Sequence, residues 1–98
     1  MIKPDRILEC VAFKFELDIQ MIKGLSRKQE LCEARFLFCL ITRELTKKTY
    51  ESIGKYINRD YCTVLHSVNK ANDLIDIDPG MKSLYDEIKD EITLEQIM

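Results

Sequence analysis

A chain of 98 residues with 46% apolar residues, three glycines and two prolines has room for one compact domain and too few turn residues for a disordered or all-β protein. Its four cysteines form no C-x-x-C pair, so we predict reduced thiols, no metal site and no cofactor. The net charge of −2 taken alone argues against a nucleic-acid-binding protein.

The charge is unevenly distributed along the chain. Residues 1–26 carry four basic and four acidic side chains, whereas residues 27–70 carry nine basic and five acidic ones, a net of +4. Residues 71–98 carry two basic and eight acidic side chains, a net of −6. A basic middle segment is therefore masked by an acidic C-terminal segment, and each is also compatible with an ordinary solvated face.

Sequence patterns also bear on location. The longest apolar run, residues 36–41, is six residues long and too short to span a membrane. Residues 1–18 are interrupted by charges too often for a secretory signal. We therefore expect no membrane association and a cytoplasmic protein.

The first half of the chain has helical periodicity throughout. Pro4 suits the first turn of a helix, and Asp18 can cap a short second helix that ends near Gly24. The longest pattern, from about residue 28 to residue 45, predicts a central helix that is buried nearly all round. No segment alternates with period two. We predict an all-α fold, a compact bundle of about six helices forming a single domain over residues 1–98 with an ordered core of about 4–92.

The second half of the chain has the pattern of a helix-turn-helix. Thr49 can cap a short helix in which Gly54 permits close packing, and Asp60 can cap the next helix after a break of three or so residues. That second helix has apolar residues at steps of four, three and four, from residue 64 to residue 75. The segment 78–80 ends it and begins a last amphipathic helix. Two helices with such a short connection are typical of a helix-turn-helix.

The outward face of the second helix begins with polar side chains. Because an α-helix turns ~100° per residue, the face opposite the apolar one begins with Arg59, Cys62, Thr63 and His66. Such groups suit base edges and phosphates in a major groove. The same pattern equally fits an ordinary solvent-facing side of a helical bundle.

The segment NRDYCTVLHS, residues 58–67, resembles the signature GGRDHTTVxHA of the C-terminal DNA-binding domain (domain IV) of the bacterial replication initiator DnaA. Further matches occur at family-like spacings: LSRK at 25–28, EAR at 33–35, RELT at 43–46 and SIG at 52–54. The resemblance covers about residues 5–90. It implies the DnaA C-terminal, Trp-repressor-like helix-turn-helix fold.

The resemblance also implies a set of DNA-contacting residues. A basic loop residue, here Arg27, would enter the minor groove, and Arg35 would touch the DNA from the long helix. The beginning of the first helix of the pair would approach the backbone, here through Lys48, Thr49 and Tyr50. The recognition helix would read the major groove, here through Asp60, Tyr61, Cys62 and Thr63. Phosphates would be contacted mainly by Arg59 and His66.

The sequence departs from the family pattern at several of these positions. Tyr61 replaces a histidine, Cys62 replaces a threonine or serine, and Glu51 stands where many members have proline. The turn has Asn58 in place of two glycines and is one residue shorter. Because two of these changes fall on base-reading positions, we expect DNA binding with an altered preferred site.

The chain lacks the motifs of the initiator's ATPase module. It has no G-x-x-x-x-G-K-[ST] loop and no nucleophile–base set, so we predict that it is not an enzyme. We predict sequence-specific binding of double-stranded DNA at initiator-box-like sites, by a replication or transcription regulator without ATPase activity. The alternative is a protein–protein interaction module that binds a full-length replication initiator or another replication protein. A homodimer is compatible with either, although no heptad seam favours one.

Overall fold

Six helices follow one another in the computed structural model, which describes residues 2–97: α1 (Pro4–Phe15), α2 (Ile19–Lys23), α3 (Gln29–Thr46), α4 (Tyr50–Lys55), α5 (Tyr61–Ile77) and α6 (Pro79–Ile97). The predicted all-α bundle of about six helices is therefore confirmed. The last helix continues five residues past the expected core limit of residue 92. The outermost positions of the predicted domain, residues 1 and 98, lie outside the described residues. None of the helices in the described part is long and apolar enough to cross a membrane.

Side-chain caps begin four of the helices, and those of α2, α4 and α5 were predicted. The side chain of Asp18 accepts a hydrogen bond from the amide of Gln20 at the start of α2. That of Thr49 accepts from the amide of Ser52 at the start of α4, at 3.1 Å. These caps satisfy amides that have no partner inside the helix, which makes each helix start predictable from a few residues.

The long helix α3 lies at the centre of the bundle. It contacts each of the other five helices, and Leu37, Phe38 and Ile41 are completely buried. The prediction of a central helix is confirmed, with one side left open, because Phe36 is only partly buried. That open side faces the site described below.

Helix α6 packs along α1, and ion pairs join the two helices. The Arg6 guanidinium lies 2.7 Å from the carboxylate of Glu95, and Lys14 lies 3.7 Å from that of Glu91. Exposed pairs of this kind stabilise a fold only slightly. Their main consequence is electrostatic, because part of the negative charge of α6 is neutralised by α1.

A polar network fastens α6 to α3. The Tyr85 hydroxyl donates a hydrogen bond to Glu44 and accepts one from Lys89, whose ammonium also lies 3.3 Å from the Glu44 carboxylate. Burial, followed by the hydrogen bond to Glu44, raises the pKa of the Tyr85 hydroxyl. The network gives the packing of α6 an orientation that apolar contacts alone do not specify.

We expect Tyr85→Phe to destabilise the protein by about 1 kcal/mol, because it removes a hydrogen bond to a carboxylate while leaving the ring in place. For a domain of this size the thermal unfolding midpoint should fall by roughly 4–8 °C. Tyr56→Phe is the matched control, since the Tyr56 hydroxyl makes no hydrogen bond among residues 2–97. Equal midpoints for the two variants would show that the network does not stabilise the fold.

Candidate nucleic-acid interface

Helices α4 and α5 form the predicted helix-turn-helix, with a longer connection than expected. Five residues, 56–60, separate them instead of three or so, because α4 ends at Lys55 and the chain continues as a turn. The carbonyl oxygen of Gly54 accepts hydrogen bonds from the amides of Ile57 and Arg59. Asn58 has φ = 57°, a left-handed conformation that asparagine adopts more readily than most residues. Asn58 thus forms the bend at which the family described above often has two glycines.

Gly54 determines how closely α4 approaches the turn. A Cβ atom at this position would overlap the carbonyl oxygen of Arg59 and would lie 3.2 Å from a methyl group of Val64. Val64 is completely buried, so it has no free space to move into. The predicted close packing at Gly54 is confirmed, and it places the start of α5 against α4.

The outward face of α5 agrees with its sequence pattern. Cys62 and His66 are exposed, whereas Val64, Val68 and Ala71 are buried. Just before them, exposed Asp60 accepts a hydrogen bond from the Thr63 amide at 2.8 Å, as its predicted capping role requires. That hydrogen bond lowers the pKa of the Asp60 carboxyl. The start of α5 therefore presents a carboxylate, a thiol and an imidazole to solvent.

Tyr61 joins the two helices of the motif while remaining on the surface. Its ring meets that of Tyr50 edge to face, with 5.8 Å between centroids, and its side chain is 52% exposed. The Arg43 guanidinium of α3 lies 4.7 Å from the centre of the Tyr50 ring and donates a hydrogen bond to the carbonyl of Lys48. Aromatic and cation–π contacts of this geometry are stabilising. They hold the predicted backbone-contacting residues Lys48, Thr49 and Tyr50 in place relative to α3.

A cleft of about 540 Å³ separates the loop before α3 from the start of α5. It brings together five of the predicted site residues, namely Arg27, Arg35, Arg59, Thr63 and His66. Sequence reasoning did not single out the other lining residues as site residues: Leu25, Cys32, Phe36, Asn58 and Ser67. Predicted residue Lys48 lines a separate cleft between the end of α3 and α6.

Two of the residues that sequence reasoning missed carry a recognisable signal. Leu25 is 90% exposed beside Arg27 and belongs to the family-like segment LSRK at 25–28. Phe36, assigned from its pattern to the buried surround of α3, instead faces His66 edge to face at 6.4 Å between ring centroids. Phe36 directly follows the family-like segment EAR at 33–35, and this position is the sequence signal that marks it for the site.

Arg35 is buried, with 6% of its surface exposed, and is directed into the protein backbone. Its guanidinium donates to four carbonyl oxygens, those of Ile22 and Ser26 at 2.7 Å, Met21 at 3.1 Å and Gly24 at 3.2 Å. The resemblance placed this side chain against DNA. In the structure it faces the segment 21–26, where carbonyl groups are close enough to occupy four of its five N–H donors.

Arg59 binds the same segment from the other side of the cleft. Its half-buried guanidinium donates to the carbonyl oxygens of Gly24, Lys23, Ile57 and Asn58. Burial, followed by the positive charge of Arg59, lowers the pKa of Arg35. Two cations therefore lie side by side at the cleft, and backbone carbonyl groups stabilise both.

Residues 4–71 match the family model for the bacterial dnaA protein helix-turn-helix. The chain is 31% identical over 91 residues to the chromosomal replication initiator protein DnaA of Flavobacterium psychrophilum, which covers 92% of this chain and 19% of that protein. It is also 31% identical to the proteins of the same name from Ureaplasma parvum, over 84% of this chain and 18% of that protein, and from Bacteroides thetaiotaomicron, over 87% and 18%. The chain thus spans about a fifth of the length of these curated relatives. Since the family match covers most of the chain, it belongs to the bacterial DnaA helix-turn-helix family of DNA-binding domains.

Proposed function

We propose that this protein binds double-stranded DNA sequence-specifically at initiator-box-like sites and regulates replication or transcription without hydrolysing ATP. One observation carries the proposal: the exposed Arg27 loop and the start of α5 flank the same cleft. A duplex lying over this cleft would present its minor groove to the loop and its adjacent major groove to the helix. The relatives are named chromosomal replication initiators, which supports a role in replication.

The start of α5 would read bases in the major groove. Asp60 can accept a hydrogen bond from a cytosine amino group with the oxygen that does not cap the helix. Cys62 is a weak hydrogen-bonding group, but it can make apolar contact with a thymine methyl group. Tyr61 and Thr63 would complete this reading surface. A preferred site containing a thymine opposite Cys62 follows from this chemistry.

The remaining residues would fix the position of α5 on the duplex. His66 and the donors of Arg59 not engaged by the backbone would contact phosphates beside the major groove. Lys48, Thr49 and Tyr50 would contact phosphates at the beginning of α4. Arg27, which is exposed in its loop, would enter a narrow A·T-rich minor groove, where the potential is most negative. Phosphate contacts position such a protein and base contacts provide its specificity.

The uneven charge predicts a strong dependence of binding on salt. The basic segment 27–70 carries the proposed contacts, whereas the acidic segment 71–98 opposes long-range attraction. Attraction should therefore depend on contacts within about one Debye length, ~8–10 Å at moderate salt. Affinity for any duplex should fall steeply as the salt concentration rises, because bound phosphates release counterions.

The test is a selection of binding sequences from a pool of random duplexes at low salt, read by sequencing. We expect an enriched motif, tighter binding to it than to its scrambled control, and a negative slope of log affinity against log salt concentration. ATP hydrolysis by the same sample should equal that of a buffer control. Failure to enrich any motif, with no duplex binding even at low salt, would contradict the proposal. That result would favour the interaction module, whose partner would be a replication initiator or another replication protein.

A further inference from the structure

Three segments that are distant in the sequence meet at one backbone oxygen. The carbonyl of Gly24 accepts hydrogen bonds from Arg35 of α3 and from Arg59 of the helix-turn-helix turn. Arg59 is 35 residues away from Gly24 along the chain, so this contact connects the loop before α3 to the motif that carries α5. The amide group of Asn58 adds a weaker contact to the carbonyl of Lys23, at 3.4 Å.

We propose that Arg35 and Arg59 are positioning residues for DNA recognition, which hold the Arg27 loop at a fixed distance from α5. This inference rests on the proposed function, in which Arg27 and α5 occupy neighbouring grooves. The distance between two grooves is set by the DNA, so a loop that is already held at that distance does not lose further freedom on binding. Without this connection Arg27 would have to be ordered in each binding event.

The donor chemistry of Arg35 supports a role through the loop. A guanidinium has five N–H groups in one plane, and four hydrogen bonds to carbonyl oxygens leave Arg35 at most one for a phosphate. A lysine ammonium is a point charge that could replace a phosphate contact, whereas it cannot reproduce this planar arrangement of acceptors. Substitution of lysine for arginine therefore distinguishes a phosphate contact, which lysine can replace, from binding of the loop carbonyl groups, which it cannot.

Few other contacts hold the loop. Leu25 and Arg27 are exposed, and the contacts within the loop are weak: the Lys28 amide lies 3.4 Å from the Ser26 hydroxyl, and the Cys32 thiol, a weak donor, lies 3.6 Å from the Arg27 carbonyl. A segment with few buried contacts opens locally at little cost. The two arginines are therefore the main restraints on the position of Arg27 among the described residues.

Binding measurements with charge-preserving variants test the proposal. Arg59→Lys and Arg35→Lys should each weaken binding to the selected duplex by about tenfold, with much less effect on a random duplex. In either background Arg27→Ala should cause a smaller loss than it causes in the parent protein, because the loop contact has already been weakened. Phosphate contact without a positioning role predicts the reverse: the lysine variants would bind within about threefold of the parent, and their effects would add to that of Arg27→Ala.

Arg43→Lys is the matched control, because Arg43 also lies on α3 and also donates to a carbonyl, that of Lys48 at α4, outside the segment 21–26. Its effect should add to that of Arg27→Ala. Thermal unfolding identifies variants that fail to fold. If buried Arg35→Lys fails, Arg59→Lys still tests the proposal, since Arg59 is only half-buried. Additive effects for Arg59→Lys and Arg27→Ala would overturn the positioning role.

Hydrogen exchange on the free protein provides a second readout that does not need DNA. In Arg59→Lys the amides of Gly24 and Lys28, which donate to the Met21 carbonyl and the Ser26 hydroxyl, should exchange faster, while those in the middle of α5 keep the parent's rates. Unchanged exchange at Gly24 and Lys28 would show that the arginine does not restrain the loop and would also overturn the proposal. If exchange becomes faster in Arg59→Lys but the parent protein binds no duplex, the proposed function is wrong, whereas the conclusion that Arg59 restrains the loop remains valid.

Discussion

Gly54→Ala is expected to lower the thermal unfolding midpoint by roughly 10–20 °C. The added Cβ would overlap the backbone carbonyl oxygen of Arg59 and press on Val64, so the turn between α4 and α5 must move. Overpacking of a rigid site costs about 1–3 kcal/mol, and each kcal/mol lowers the midpoint of a domain of this size by roughly 4–8 °C. We expect a cost of about 2–3 kcal/mol, because the obstructing atoms belong to the backbone.

Gly80→Ala is the control for this variant. A Cβ atom at Gly80 would approach only the side-chain oxygen of Asp78, at 3.2 Å. Gly80 lies in the first turn of α6, away from the helix-turn-helix. Its midpoint should stay close to that of the parent protein. Equal midpoints for Gly54→Ala and Gly80→Ala would contradict the packing argument. A shifted turn should also weaken DNA binding by Gly54→Ala below its unfolding temperature, since α5 would no longer be aligned with the Arg27 loop.

Arg27→Ala is expected to remove sequence discrimination at the minor-groove part of the site. Loss of one base-contacting arginine typically costs about 1–3 kcal/mol, so affinity for the selected duplex should fall by about 5- to 150-fold. Affinity for random duplexes should fall much less, because they offer the loop no preferred groove. The ratio of specific to non-specific affinity is the quantity to measure, by titration of both duplexes at one salt concentration.

Lys48→Ala is the counterpart, because Lys48 is a proposed phosphate contact. It should weaken binding to selected and random duplexes alike and reduce the salt slope by about one. Unchanged titrations for both variants would contradict the proposed assignment of contacts. Exchanged behaviour, in which Lys48→Ala loses discrimination and Arg27→Ala does not, would place the specific contact at α4.

The helix starts and the orientation of α5 followed from the sequence because both depend on neighbouring residues. A cap acts over two or three positions, as at Asp18 and Thr49, and an apolar stripe repeats within one helix, as it does around Val64. The connection between α4 and α5 was predicted less well. Its length depends on the left-handed conformation of Asn58, which a pattern of apolar residues does not reveal.

The sequence did not predict which neighbouring segments the side chains of the central helix α3 contact. Arg35 and Phe36 are neighbours on α3, yet one is directed into the backbone of residues 21–26 and the other towards His66. Periodicity places a residue on a face of its helix but does not identify the segment packed against that face. The same holds for Tyr61, whose contact with Tyr50 depends on the angle between α4 and α5.

The sequence by itself determined an all-α chain with a helix-turn-helix, a basic middle segment and an outward polar face on α5, because these features arise from local periodicity, capping and composition. Only the tertiary structure decided that the Arg27 loop lies across a cleft from α5 and that Arg35 and Arg59 bind its backbone. The physical reason is the range of the interactions: carbonyl groups up to 36 residues away along the chain become hydrogen-bond acceptors only after the helices have packed.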